Sequence, residues 1–531
     1  MLGNYFGVML DCSRNGVMKV EKVREFIDYL ALFGYNSLQL YTEDTFEVEG
    51  EPYFGYMRGG YTQEELKEID KYAKSKGIEL IPCVQTLAHL NQIFKWEKYY
   101  DINDVNDILL VDEEKTYVFL ENIFKTISKC FSSKHINIGM DEAHLLGAGK
   151  HISRFGYEKR YSILCRHLQR VCAIADKYGL KPMMWSDMFF RTVLNGGYYA
   201  KDVDIPQSVV ENVPENVELV YWNYYDDNAE KYNDMFRHHK IFNRNIWFAG
   251  GAWSWLGFAP MNSFTMRTMK PAMEACRKNQ IGNVMITMWG DNGKECSYFS
   301  LLPSLFFIKK IYDGETDIQK IKDDFKRLTG EDFDGMCSLD LPNLICGNKD
   351  KNYNPCKYVL YNDLFNGFLD TTLPEGGAED YRKNAEMLKK VKNGSKYEYI
   401  FDVQVALCEA LSIKYGLGIK LRKAYQSGNR DRLARDIQEI KMLEAKIETL
   451  YYNLKKLWFK ENKPQGFDVQ EMRFGGLLLR LRSCRERLED YLVGDIKDIP
   501  ELETNLMPYS DRGIALFSMY KWADCVTVNV L

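Results

Sequence analysis

The fold turns on His135-Ile136-Asn137-Ile138-Gly139-Met140-Asp141-Glu142-Ala143-His144. Ile136, Ile138 and Met140 alternate with Asn137 and Gly139, which predicts a short strand inside a sheet, running from His135 to Asp141. It ends on two adjacent carboxylates, and the chain then leaves through a Gly-rich segment, Leu145 to Lys150. Neighbouring acids repel and cost desolvation, so a fold rarely needs them at a strand end. An Asp-Glu pair met in isolation reads first as the start of a solvated loop or a helix cap. The rest of the chain reverses that order.

Seven further apolar runs flank this one: Tyr5-Asp11, Asn36-Tyr41, Ile78-Val84, Pro182-Asp187, Val217-Tyr224, Ile246-Gly251 and Val284-Trp289. Amphipathic patterns lie between most of them, such as Val20-Phe33, Thr62-Lys76 and Tyr161-Tyr178. Gly77 and Gly179 follow two of these, where a left-handed cap suits glycine. Eight strand-helix units over residues 1–335 predict an α/β fold, a (β/α)8 TIM barrel. An open doubly wound sheet would usually carry a Gly-rich phosphate loop after its first strand. Asp11-Cys12-Ser13-Arg14-Asn15-Gly16 stands there instead. In a barrel the active site lies at the C-terminal strand ends. Asp11, Arg14, Glu43, Asp44, Gln85, His89, Asp141, Glu142, Trp185, Asp187, Trp222, Tyr225, Trp253, Trp289 and Asp291 all fall at or just beyond those ends. Acids, an Arg, a His and several Trp at most of eight ends predict a pocket.

Beyond residue 335 the texture changes. A polar stretch, Gly347 to Pro355, leads into long helical patterns over Phe401-Ser427, Arg430-Phe459 and Asp468-Leu492. Residues 336–531 are therefore expected to form a mainly α-helical C-terminal domain, whose apolar stripes serve as core. The tail, Trp522 to Leu531, has a strand-like end. The 531 residues exceed one ordinary core. A composition of 46% hydrophobic and 27% charged residues is ordinary for a globular protein, and the net charge of -5 gives no sign of nucleic acid or an anionic membrane as partner. Aromatic residues reach 14%, which suits sugar-binding faces as well as cores. The N-terminal residues lack the pattern of a signal peptide, and no apolar run approaches the ~18 residues of a membrane span. Thirteen scattered Cys with no C-x-x-C pair suggest reduced thiols in a cytoplasmic protein. No zinc motif occurs, and His238-His239, within a polar charged helix, are expected at the surface.

Adjacent strand residues point in opposite directions, so Asp141 and Glu142 are poorly placed to flank one bond as nucleophile and acid. They suit split roles: Glu142 reaches a leaving oxygen while Asp141 reaches another substrate group. An N-acetyl group at sugar C2 would let its own oxygen attack C1, the substrate-assisted exception to the two-carboxylate rule.

His135-Ile-Asn-Ile-Gly-Met-Asp141-Glu142 resembles the catalytic strand of family 20 glycoside hydrolases, the β-N-acetylhexosaminidases. The resemblance covers about residues 1–335 and matches the shorter, hexosaminidase D-like type. It implies an exo-β-N-acetylhexosaminidase that removes a terminal β-linked GlcNAc or GalNAc with retention, through an oxazolinium intermediate. Glu142 is the implied acid/base, with a pKa raised by burial and its neighbour, and Asp141 orients the amide. Asp11-x-x-Arg14 resembles the family's first-strand pair and implies that Arg14 binds the 3- and 4-hydroxyls. Gln85-Thr-Leu-Ala-His89 implies that His89 supports the acid/base, although Gln85 replaces the usual Asp. One of Glu43 and Asp44 resembles the acid that supports the His. Met184-Trp185-Ser186-Asp187 implies an aromatic wall at the acetamido methyl. Trp289-Gly-Asp291 resembles the closing Trp-x-Glu, with Trp289 beneath the sugar and the shorter Asp291 at the 4- and 6-hydroxyls. The seventh strand lacks the usual Tyr, which points to Tyr225, or Tyr224, at the acetamido oxygen and to Trp253 as lining.

No metal and no organic cofactor is implied. The implied partner is a terminal N-acetylhexosamine of a glycan or glycoconjugate. The helical domain could form a homodimer interface or cap the pocket. Two other readings stand beside this one: a barrel glycosidase with an enzyme carboxylate nucleophile, for which Asp187 is the nearest candidate, and a non-catalytic sugar-binding protein.

Overall fold

The computed structural model describes residues 5–194, 196–199, 203–348, 351–511, 513 and 515–531. Eight parallel strands close into a barrel, each paired with its neighbours in chain order: β1 (Phe6–Asp11), β2 (Ser37–Tyr41), β3 (Glu79–Cys83), β4 (His135–Asn137), β5 (Lys181–Trp185), β6 (Glu218–Trp222), β7 (Ile246–Gly251) and β8 (Asn283–Met288). β8 returns to β1 through the register Phe6–Val284 to Leu10–Met288. The strands are nearly continuous runs of buried residues, as a sheet covered on both faces requires. The expected TIM barrel is present. Gly77 and Gly179 take the left-handed conformation after their helices, at φ 73° and 65°.

Several boundaries differ from the expectation. The fourth strand ends at Asn137 and does not reach Asp141: backbone bonds to β5 persist as far as the Gly139 carbonyl, but Gly139 and Met140 turn to positive φ, 72° and 73°, and leave the extended conformation. A small antiparallel hairpin, Asn103–Val105 with Ile108–Leu109, lies between β3 and β4; its strands are too short to show a period in sequence. His238 and His239 are buried and not at the surface. The His239 ring lies between Ser186 Oγ and the Met235 carbonyl, 2.7 Å from each, and burial lowers its pKa to about 4.

The chain forms two compact units. The first comprises Met1–Ala252, Thr265–Met288 and Leu305–Asp317, and holds the barrel. The second comprises Trp253–Phe264, Trp289–Ser304 and Ile318–Leu531, and is mainly helical. In the second, Arg430–Glu461 buries Leu433, Ile437, Ile440, Leu443, Ile447 and Leu450 along one stripe, so these side chains are core. The helix expected over Phe401-Ser427 is two helices, Glu398–Lys414 and Leu417–Gln426, parted where Gly416 takes φ 72°. The tail carries a short helix, Trp522–Val526, in place of a strand. Residues 349 and 350 of the polar stretch before Pro355 lie outside the described residues.

At the N-terminal ends of the strands, Glu79 accepts from Tyr5 Oη at 2.9 Å and Ser133 Oγ at 2.6 Å, with His135 Nδ1 3.2 Å away. Burial opposes its charge, but these partners outweigh burial and bring the pKa down to about 2. A carboxylate with a depressed folded-state pKa stabilises the fold above its ordinary value and loses that contribution as pH falls through the depressed one. Glu79→Gln is therefore expected to cost about 1 kcal/mol at pH 7, after allowance for solvent screening of a side chain that is 30% exposed. Thermal unfolding should show the gap between variant and wild type closing as pH drops from 4.5 towards 2.

Candidate active site

The chain leaving β4 is shaped by one side chain. Gln85, two residues past β3, accepts from Met140 N at 3.1 Å and donates through Nε2 to Asp141 Oδ1 at 2.7 Å and to Tyr41 Oη at 3.0 Å. Tyr41 in turn donates to Glu43 Oε1 at 2.9 Å. Every donor in this chain meets an acceptor, which fixes the amide's orientation. A carboxylate in place of Gln85 would repel Asp141 and could not donate to it. The departure noted at Gln85 is thus an internally matched one.

Asp141 is buried and keeps its charge through partners. Burial alone would raise its pKa, but the adjacent His89 and the Gln85 amide bring it below the ordinary carboxylate value. His89 Nε2 stands 3.2 Å from Asp141 Oδ2 and 4.0 Å from Glu142 Oε2. Burial disfavours the imidazolium, yet the Asp141 carboxylate prevails and raises the ring to about 9. At neutral pH the site therefore holds a carboxylate–imidazolium pair beneath Glu142. The Glu142 side chain is 41% exposed, in contrast to the buried acid expected from sequence, and so is open to a ligand. Glu43, His89, Met140 and Glu142 all adopt left-handed backbone, with φ of 43°, 58°, 73° and 51°. Such clustering of non-Gly outliers marks a built site.

On the β2 side, Arg14 approaches Glu43 at 3.2 Å and Asp11 at 3.9 Å, with 30% of its side chain exposed. Asp44 pairs instead with Arg58, at 3.3 Å. The two adjacent acids, indistinguishable in sequence, are separated: Glu43 belongs to the Arg14–Tyr41–Gln85–Asp141 network, and Asp44 anchors a loop.

On the β5 side, Asp187 is fully buried. Its Oδ2 accepts from Glu142 N at 3.1 Å and from Arg191 Nε at 2.8 Å. Burial first, then the Asp141 charge, raise its pKa to about 7, despite Arg191. Arg191 Nη2 also donates to Glu142 Oε1 at 3.3 Å. Sequence reasoning missed Arg191; its signal was the i,i+4 spacing from Asp187, which puts both on one face of the short helix Asp187–Arg191. Trp185 is buried at the end of β5 and donates its backbone N–H to Gly139 O at 3.2 Å.

After β6, Tyr225 is 44% exposed, whereas Tyr224 is buried and stacked on Trp222 at 5.5 Å. Trp253, Trp289 and Asp291 belong to the second unit. There Trp253 is fully buried, stacked on Trp255 at 4.3 Å and edge-on to Phe264 at 4.9 Å. The Trp289 carbonyl accepts from Ser254 Oγ at 2.6 Å, and Trp289 and Asp291 are partly exposed. Among the described residues, Asp112, His151 and Glu158 come close enough together to share a cation, and the Arg166 guanidinium already pairs with both carboxylates at 2.6 and 2.7 Å.

Gly139 is a position where nothing larger fits. A Cβ there would lie 2.1 Å from Gln85 Oε1 and 2.8 Å from the Val84 carbonyl, on backbone at φ 72°. Gly139→Ala is expected to cost about 1–3 kcal/mol in strain, measured by thermal unfolding. It should also weaken any activity that depends on Asp141, because Gln85 must give way.

Residues 4–283 match the family model described as glycosyl hydrolase family 20, catalytic domain, and residues 332–515 match the glycoside hydrolase 20C C-terminal domain. Hexosaminidase D of Homo sapiens is 26% identical over 218 residues, 39% of this chain and 43% of the relative. A beta-hexosaminidase of Vibrio furnissii is 28% identical over 175 residues, 26% of this chain and 28% of the relative. The chain thus spans less than half the length of these two relatives. A solved chitobiase from Flavobacterium johnsoniae aligns with a TM-score of 0.48 at 16% identity, over 86% of this chain and 78% of that one.

Proposed function

Because the chain belongs to glycosyl hydrolase family 20, we propose that it is an exo-acting β-N-acetylhexosaminidase that cleaves terminal β-linked GlcNAc or GalNAc with retention, by substrate-assisted catalysis. The observation that carries the mechanism is the unequal setting of two adjacent carboxylates. Asp141 is buried, clamped by Gln85 and paired with His89; Glu142 is exposed enough to meet a leaving group.

In the proposed sequence Glu142 gives its proton to the glycosidic oxygen as the C1–O bond breaks. The substrate's acetamido oxygen forms the new bond to C1, and Asp141 accepts the amide N–H and offsets the positive charge of the oxazolinium. Water then adds to C1, Glu142 takes its proton, and the oxazolinium reopens to the N-acetyl sugar with overall retention. Asp141 must be ionised throughout, which the imidazolium of His89 favours. Arg14, with 30% of its side chain exposed beside Glu43, suits the sugar hydroxyls. Tyr225 suits the acetamido oxygen better than Tyr224 does, since its ring is the exposed one. Trp185 walling the acetamido methyl, Trp253 as lining, Trp289 beneath the sugar and Asp291 at its hydroxyls complete the proposal. The proposal takes 1–335 as the catalytic barrel and 336–531 as the helical domain, although the compact units interleave before 335, and the thirteen free cysteines support a cytoplasmic setting.

The reading with an enzyme nucleophile has Asp187 as its nearest candidate. That side chain is fully buried and engaged by Arg191 and the Glu142 backbone, which favours the substrate-assisted route. The test is release of p-nitrophenol from β-GlcNAc and β-GalNAc glycosides, with and without a thiazoline analogue of the oxazolinium. Hydrolysis that the thiazoline inhibits competitively is the expected result. Sugar binding without turnover, or turnover indifferent to the thiazoline, would overturn it.

A further inference from the structure

Arg191 has no part in the sequence above, yet it makes three contacts around the acid/base. Its Nε donates to Asp187, its Nη2 to Glu142 at 3.3 Å, and its Nη1 to the Gly196 carbonyl at 2.9 Å. Only 15% of the side chain is exposed. Its guanidinium also lies 5.8 Å from the ring centres of Trp222 and Tyr198. Asp187 grips the same residue from the other end, through the Glu142 backbone N–H. Glu142 is thus held at two points by one ion-paired unit, its carboxylate by Arg191 and its left-handed backbone by Asp187.

We propose that Arg191, steadied by Asp187, is a positioning residue that sets where the Glu142 carboxyl rests and how readily it gives up its proton. The inference rests on Glu142 being the acid/base. The chemistry follows from the charges that face it. The cationic groups facing the Glu142 carboxyl are Arg191 at 3.3 Å and His89 at 4.0 Å, and Asp187 holds its backbone N–H at 3.1 Å. The second half of the reaction needs that carboxylate as a base. A fork-shaped guanidinium can hold one carboxylate while releasing part of its grip on another, which a flexible ammonium does less well.

The experiment compares wild type, Arg191→Gln and Arg191→Lys by kcat and KM on p-nitrophenyl β-GlcNAc from pH 4 to 10, beside crystal structures of the free proteins. Arg191→Gln should lower kcat about 10- to 100-fold, within the range of general acid–base contributions, with little change in KM. Its alkaline limb of kcat/KM should move up by about one pH unit, the effect of removing a nearby opposite charge. Arg191→Lys should leave that limb near its wild-type position and recover part of kcat. In the Arg191→Gln crystal the Glu142 carboxyl should leave its wild-type place. An unmoved limb together with an unmoved carboxyl would overturn the inference, leaving Arg191 as a tie for the Gly196 loop. So would a limb that shifts equally in Arg191→Lys. Failure of the underlying function looks different: wild type would then be inactive, or Glu142→Gln active, and the crystal comparison would still judge the positioning role.

Discussion

Glu142→Gln is expected to lower hydrolysis of p-nitrophenyl β-GlcNAc by about 10²–10⁴-fold, the usual contribution of a positioned general acid–base group. The amide neither donates a proton to the leaving oxygen nor accepts one from water. Folding should be spared, because the side chain is 41% exposed and its loss strands no buried charge. The defect should depend on the leaving group. A dinitrophenyl glycoside, which leaves without protonation, should recover most of its first-step rate, whereas an oligosaccharide should recover none. Azide should then add to C1 of the accumulated oxazolinium and give a glycosyl azide of retained configuration. An inverted azide, or full activity in the variant, would sink the assignment.

Asp141→Asn is expected to cost about 10²–10³-fold in kcat, the scale of losing one preorganised electrostatic contact in a secluded site. The loss should appear with good and poor leaving groups alike, because the proposed mechanism has Asp141 serve the acetamido group and not the departing oxygen. The variant carries a second signature. His89 reaches about 9 against the opposing effect of burial, and Asp141 is the main cause of the rise. Without that charge the imidazole should titrate near or below its ordinary value, so neutral pH would find it uncharged. NMR titration of the His89 ring reads this directly; a ring that still titrates near 9 would mean that other groups hold its proton.

Much of the barrel was legible because its evidence is periodic. Eight apolar runs, with helices such as Val20–Phe33 between most of them, need no contact information to be seen. The placement of Arg14, His89, Asp141 and Glu142 at strand ends followed from the same count. What escaped was set by tertiary contacts. The early end of β4 arises from Gln85 reaching across to the Met140 N–H. Arg191 is one of many surface-type residues until Asp187 and Glu142 are seen around it. Glu43 and Asp44 are equivalent in sequence, and only Arg14 and Arg58 tell them apart. His238 and His239 misled because polar neighbours in the chain, Arg237 and Lys240, say little about what packs above them.

The dependence of the Asp141-Glu142 segment on Gln85 bears on portability. A strand whose geometry came from its own ladder could be cut out and grafted onto another barrel. This one could not. Its three ladder residues are followed by a turn whose shape is written in a side chain just past a different strand, and in the absence of any Cβ at Gly139. A designer who moved residues 135–142 to a new scaffold would bring both acids and lose their aim. The smallest transferable unit is the segment together with Tyr41, Gln85 and His89 before it and Asp187 and Arg191 after it, carried on four consecutive barrel positions.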